Sequence, residues 1–168
     1  IHKEFVSSKV AGDTASLTDP ALDRILAFAG EVGLVVLLHN DIDVPFAAQG
    51  AEPVYLTQMK DLLRRHRNTT VIWAHTGLGR VVVPPRSQAA VGAAERSPNH
   101  REIILGILED PTLAHVSFDI SWDEVAKYLV GSPEVTRRAA DVINRFPDRF
   151  LFGTDEVAPP NTAEYVQV

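Results

Sequence analysis

Short apolar runs alternate along the chain with longer amphipathic stretches. Leu34-Val35-Val36-Leu37-Leu38, Val71-Ile72-Trp73-Ala74, Val116-Ser117-Phe118 and Phe150-Leu151-Phe152 each end in a polar cluster. Runs without polar alternation predict strands buried on both faces, as the strands of a parallel sheet are. Phe5-Val6, near the start, reads as the tail of an earlier strand.

Helical patterns separate these runs. Asp19-Pro20 offers an N-cap followed by proline at the first helical position. Leu22, Ile25, Leu26 and Ala29 then keep a 3.6-residue period until Gly33. Leu56, Met59, Leu62 and Leu63 form a second stripe ending near Asn68, and Ile103, Ile104, Ile107 and Leu108 form a third. Ser132-Pro133 repeats the cap-and-proline device ahead of Val135, Ala139, Val142, Ile143 and Phe146. Ser121-Trp122-Asp123-Glu124 reads as a capping box opening a short extra helix. Residues 80–99, with Pro84, Pro85, Gly92 and Pro98, show no period and predict a long loop. The resulting order, β-α-β-α-β-α-β, implies βαβ units and a parallel sheet.

An ionisable residue marks the end of every predicted strand: His39, His75, Asp119 and Asp155, at intervals of 36, 44 and 36 residues. A (β/α)8 barrel of roughly 250 residues has about 31 per unit, and the longer interval here contains the 80–99 loop. Parallel strands direct their carboxyl ends to one side, so the four side chains are expected to converge. Two imidazoles and a carboxylate suit a divalent transition metal, zinc above all. Such an ion would activate a water, with a nearby carboxylate taking its proton. The bland alternatives are a hydrogen-bonded core histidine for His39 or His75 and a helix cap for Asp155 or Asp119.

Composition narrows the class without changing it. The 168 residues are 45% hydrophobic and 23% charged, ordinary values for a folded domain. A net charge of −6 argues against a nucleic-acid partner, and no apolar run approaches the ~20 residues of a membrane span. The absence of cysteine excludes a disulfide scaffold, a zinc finger and a thiol nucleophile. Gly77-Leu78-Gly79 is not a dinucleotide loop, because Val82 occupies the third glycine position; no Walker loop or G-x-S-x-G elbow occurs. His66, His100 and His115 are expected to be solvated. Arg64-Arg65-His66-Arg67 falls at a helix C-terminus, where it complements the helix dipole. For Trp122 the choice is between lining a pocket and packing on the capping box.

LVVLLHND, TVIWAHTGLGR, VSFDISWDEV and RFLFGTDE together resemble strands five to eight of the amidohydrolase superfamily, in its amidohydrolase-related branch of TIM-barrel hydrolases and decarboxylases. The resemblance covers about residues 34–156. It implies that His39 is the strand-five metal ligand, His75 the strand-six ligand or catalytic histidine, and Asp155 the strand-eight aspartate that binds metal and shuttles a proton. His75 would polarise the scissile carbonyl. The family's first-strand His-x-His pair has no counterpart, for His2-Lys3-Glu4 is not that motif. Lys3 or Glu4 would fall near the strand-four bridging ligand, with a solvated loop start as the alternative.

The expectation is therefore a single partial domain over residues 1–168, the C-terminal half of a (β/α)8 TIM barrel holding strands five to eight and a remnant of four. The opening on Ile1, with Met59 the only methionine, reads as a cut start. The expected function is metal-dependent hydrolysis of an amide, ester or lactone, with a small-molecule substrate, no nucleic-acid or membrane partner and a cytoplasmic location. The piece alone is expected to bind metal weakly and not to turn over. Self-association is left open. The alternatives are a decarboxylase of the same branch, a non-catalytic α/β binding module and an inactive fragment.

Overall fold

In a computed structural model, residues 17–42, 53–78 and 99–155 are described. Phe5-Val6, Lys3, Glu4 and all of the 80–99 loop except Asn99 lie outside them. Four strands form one parallel sheet in sequential order: β1 (Val36–Leu38), β2 (Val71–Trp73), β3 (Val116–Asp119) and β4 (Phe150–Leu151). The helices are α1 (Pro20–Val32), α2 (Val54–Arg65), α3 (His100–Glu109), α4 (Asp123–Val130) and α5 (Pro133–Arg145).

Local chemistry starts and stops these helices. Asp19 accepts from the backbone N–H of Ala21 at 2.7 Å ahead of Pro20, and Gly33 ends α1 at φ 72°. Ser132 caps α5 by accepting from Val135, again with proline next. A reciprocal capping box does occur, but at Asn99 and Glu102, where it opens α3. The one expected at Ser121 does not form. Helix α4 starts after Trp122, which has φ 81° and makes no side-chain cap, because the Ser121 side chain is turned back toward the strand end.

The core lies on one face of the sheet. Val36, Leu38, Val71, Trp73, Val116 and Phe118 are buried in one cluster with Leu26 of α1, Met59, Leu62 and Leu63 of α2, and Ile103, Ile104 and Ile107 of α3. The alternate row is not buried as expected. Leu37 is 52% exposed, Ile72 and Ser117 are half-buried, and Leu151 is exposed. Among the described residues the helices of this core pack against one face only, so the period-2 alternation of a strand separates a dry row from an open one. Sequential parallel order with helices on one face is the arrangement of barrel units rather than of a doubly wound sheet, where the order reverses and helices cover both faces. The architecture is that of a partial TIM-barrel-like fold.

The solvated role expected for three histidines is corrected. His66 Nε2 lies 2.6 Å from Asp23 Oδ1, joining α2 to α1 beside the Arg65–Asp23 pair. Arg65 and His66 together hold the Asp23 carboxyl below its ordinary range. His115 is half-buried, and that burial pushes its pKa down. His100 packs behind the second strand end. Of the basic run, Arg64 bonds Asp110 at 2.8 Å; Thr112 and Arg64 bring the Asp110 pKa down to about 2. No described helix is long and apolar enough to cross a membrane.

Candidate active site

The site is assembled from residues at, or a few positions beyond, the carboxyl end of each strand. After β1, His39 meets His75 edge to face, with ring centroids 4.7 Å apart. After β2 the chain turns sharply, with His75 at φ 54° and Thr76 at φ 51°, both buried. Left-handed backbone at a residue with a side chain is costly and persists only when its surroundings impose it. Those surroundings are identifiable. His100 Nε2 donates to the Thr76 carbonyl at 2.9 Å, the Thr76 hydroxyl donates to the His75 carbonyl at 2.7 Å, and Ile42 N–H donates to the Gly77 carbonyl at 2.8 Å. Desolvation lowers the His100 pKa to about 4, so that ring remains a neutral donor at ordinary pH. Gly77 itself has φ 71°, and a Cβ there would lie 2.8 Å from Ile42 and 3.0 Å from Trp73. The glycine of His-Thr-Gly is thus required both by conformation and by space.

At the end of β3, Asp119 accepts twice from Ser121, from its N–H at 2.9 Å and from its hydroxyl at 2.5 Å. The same hydroxyl lies 3.0 Å from His75 Nδ1. Trp122 places its ring 5.4 Å from that of His75, so it lines the site rather than packing on a capping box. Beyond β4, Gly153 passes so close to Asp119 and Ser121 that a Cβ would lie 3.2 Å from each. Asp155, at φ 56° and 45% exposed at its side chain, brings Oδ2 to 3.7 Å from His75 Nε2. His75, Thr76, Trp122 and Asp155 are the only described residues other than glycine with positive φ, and three of the four have rings or carboxylates in this cluster.

His75, 6% exposed at its side chain, is therefore the hub. One ring nitrogen faces Ser121 and the other faces Asp155, while the rings of His39 and Trp122 flank it. The structure brings together all four strand-end residues singled out by spacing. It adds Ser121, Trp122 and, behind the turn, His100. Asp119 reaches His75 through Ser121, its own Oδ2 being 3.9 Å from Nδ1. Among the described residues, no three His, Cys, Asp or Glu side chains are grouped so as to hold a metal ion. The described residues alone thus do not fit a complete metal site, although His39, His75 and Asp155 provide suitable donor types.

Ionisable groups gathered at the carboxyl ends of parallel strands, with helices behind the sheet, stand where (β/α) barrel enzymes carry their active sites. Residues 5–167 match the sequence model of the family described as Amidohydrolase, and the chain belongs to that family. A hydrolase-like enzymatic activity follows from membership, and members of the family generally use divalent metals. Neither a curated protein nor a solved structure matches the chain significantly.

Proposed function

We propose that the chain carries strands five to eight of a metal-dependent amidohydrolase-related enzyme that adds water to an amide, ester or lactone carbonyl. The observation that carries this reading is the 3.7 Å approach of Asp155 Oδ2 to His75 Nε2 at the carboxyl ends of β2 and β4. A carboxylate and an imidazole that close leave room for one reacting oxygen within hydrogen-bond reach of both. Asp155, the more exposed of the two, takes a proton from the attacking water. The water oxygen bonds to the carbonyl carbon, the bond to the leaving nitrogen or oxygen breaks, and the proton passes to that leaving atom. His75 orients the reacting oxygen, and its buried position fixes where that oxygen sits.

Family membership and the donor types of His39, His75 and Asp155 support dependence on a divalent metal, zinc first. Further ligands would have to come from outside the described residues. The exposed apolar flanks support the partial barrel. Phe28 of α1 and Leu34, Val35 and Leu37 around β1 stand open on one side, and Leu151 and Phe152 on the other, where neighbouring units of a closed ring would cover them. The test is to express the protein with its full coding region, measure bound metal, and assay an amide, ester and lactone panel alongside Asp155→Asn. Stoichiometric metal and a loss of at least about a hundredfold in kcat are expected for this role. Unchanged hydrolysis by Asp155→Asn would remove the proposed base, and carbon dioxide release without hydrolysis would reassign the reaction.

A further inference from the structure

We infer that Ser121 is a positioning residue that fixes the tautomer of His75, placing the proton on Nδ1 and the lone pair on Nε2. The protons available along three groups require it. A carboxylate can only accept, so the 2.5 Å contact between the Ser121 hydroxyl and Asp119 Oδ2 commits the single hydroxyl proton to Asp119. The other oxygen of Asp119 is taken by the Ser121 backbone N–H at 2.9 Å, which locks the carboxylate plane in place. With its proton spent, the hydroxyl meets His75 Nδ1 at 3.0 Å only as an acceptor. A neutral imidazole carries one N–H, and here it must be at Nδ1.

The consequence falls on the opposite edge of the ring. Nε2 presents its lone pair toward Asp155 Oδ2, so two acceptors face each other across 3.7 Å. What such a pair holds is a donor, a water with its hydrogens directed at both, or a cation. A carbonyl oxygen, itself an acceptor, is not held by neutral His75 in this tautomer. This narrows the proposed function, on which its catalytic meaning rests: His75 orients the attacking water rather than polarising the carbonyl. Close packing keeps the chain of groups in register, since Gly153 backs Asp119 and Ser121 and the Trp122 ring lies against His75. Ser121 is 4% exposed, so bulk water does not compete for its hydroxyl.

Long-range proton–nitrogen correlation spectra of the histidine-labelled chain, recorded above the histidine titration range, read the tautomer directly. The expected wild-type pattern is a protonated-type shift at His75 Nδ1 and a lone-pair-type shift at Nε2. Asp119→Asn is nearly isosteric and supplies the sharpest variant. The new amide keeps its oxygen toward the Ser121 N–H and turns its NH2 to the hydroxyl, which then donates to Nδ1 and drives the imidazole proton to Nε2. The two shifts should exchange in Asp119→Asn, average in Ser121→Ala, and stay as in wild type in Ser121→Thr. An Nε2–H pattern in the wild type, or identical spectra for wild type and Asp119→Asn, would overturn the inference. The spectra read the ring whether or not the chain hydrolyses anything, so failure of the hydrolase assay and failure of this assignment are separate results.

Discussion

The indole N–H of Trp73 donates to the backbone carbonyl of Asn40 at 2.7 Å, tying the end of β2 to the segment just beyond β1. Both residues are buried, and Asn40 is the neighbour of His39. The bond thus sets the height of one site histidine relative to the strand that leads to the other. Trp73→Phe keeps the ring packing on Phe118 but leaves a buried carbonyl unpaired. The expected cost is about 1–3 kcal/mol, read from the urea midpoint. Broadening of the His39 ring resonances should accompany it, because the segment keeps its Ile42–Gly77 bond but has lost the tie next to His39.

Three glycines separate conformational cost from steric cost. Gly33 has φ 72° with nothing near its missing Cβ, so Gly33→Ala should lose about 1–2 kcal/mol from the left-handed backbone alone. Gly77→Ala adds a clash with Ile42 and Trp73 to the same backbone penalty, and about 2–5 kcal/mol is expected. Gly106 sits inside α3 in open space, where Gly106→Ala should gain about 1 kcal/mol. Chemical denaturation should place Gly106→Ala above wild type, Gly33→Ala below it and Gly77→Ala lowest.

Acid should destabilise the chain well above the carboxylate range. The folded His100 ring resists protonation until about pH 4, whereas its unfolded counterpart takes a proton near 6.5. The unfolded state therefore binds more protons within that window, and stability falls as pH drops from 6.5 to about 4. His115, also depressed by burial, acts in the same direction. For His100 the loss is at most about 3 kcal/mol, complete once the folded ring titrates. Melting temperatures of wild type and His100→Gln across this window should converge toward the acid end; parallel curves would exclude His100 as the source.

Gly153→Ala is predicted to affect activity more than stability. The added Cβ would lie 3.2 Å from both Asp119 and Ser121, displacing the pair by a few tenths of an ångström without opening the core. A fall of about tenfold in kcat/KM with less than about 1 kcal/mol of stability lost is expected, since small misplacements of the groups that position His75 are costly. Steady-state kinetics and a denaturation curve on the same preparation distinguish this from unfolding.

The elements legible in the sequence are those specified locally. Asp19-Pro20 and Ser132-Pro133 place helix starts because a cap bonds within three residues, and β2 begins at Val71 because its apolar run does. The convergence of His39, His75, Asp119 and Asp155 follows from strand-end position and parallel order alone. The cap at Asn99 is written locally too, in Glu102 three residues on, although the apolar stripe it precedes begins only at Ile103. Bonds across the fold are not legible in this way. Ser121 lies 46 residues from His75, and His66 lies 43 from Asp23, so nothing adjacent to either announces the partner. His100 reads as polar and exposed because its carbonyl partner at Thr76 exists only once the left-handed turn has formed.

The strands pair without stagger: Val36, Val71 and Val116 lie side by side, as do Leu38, Trp73 and Phe118. Each site residue is thus placed by counting a few positions from a shared row, and the length of chain between strands does not enter. Insertions after β2 can lengthen the interval to the next strand end from 36 to 44 residues while leaving the cluster intact. A single residue added within β2 would instead shift the side-chain alternation and carry His75 to the other face of the sheet. Tolerance to change is therefore divided within each unit, broad in the connections and nearly absent over the few residues of the strand.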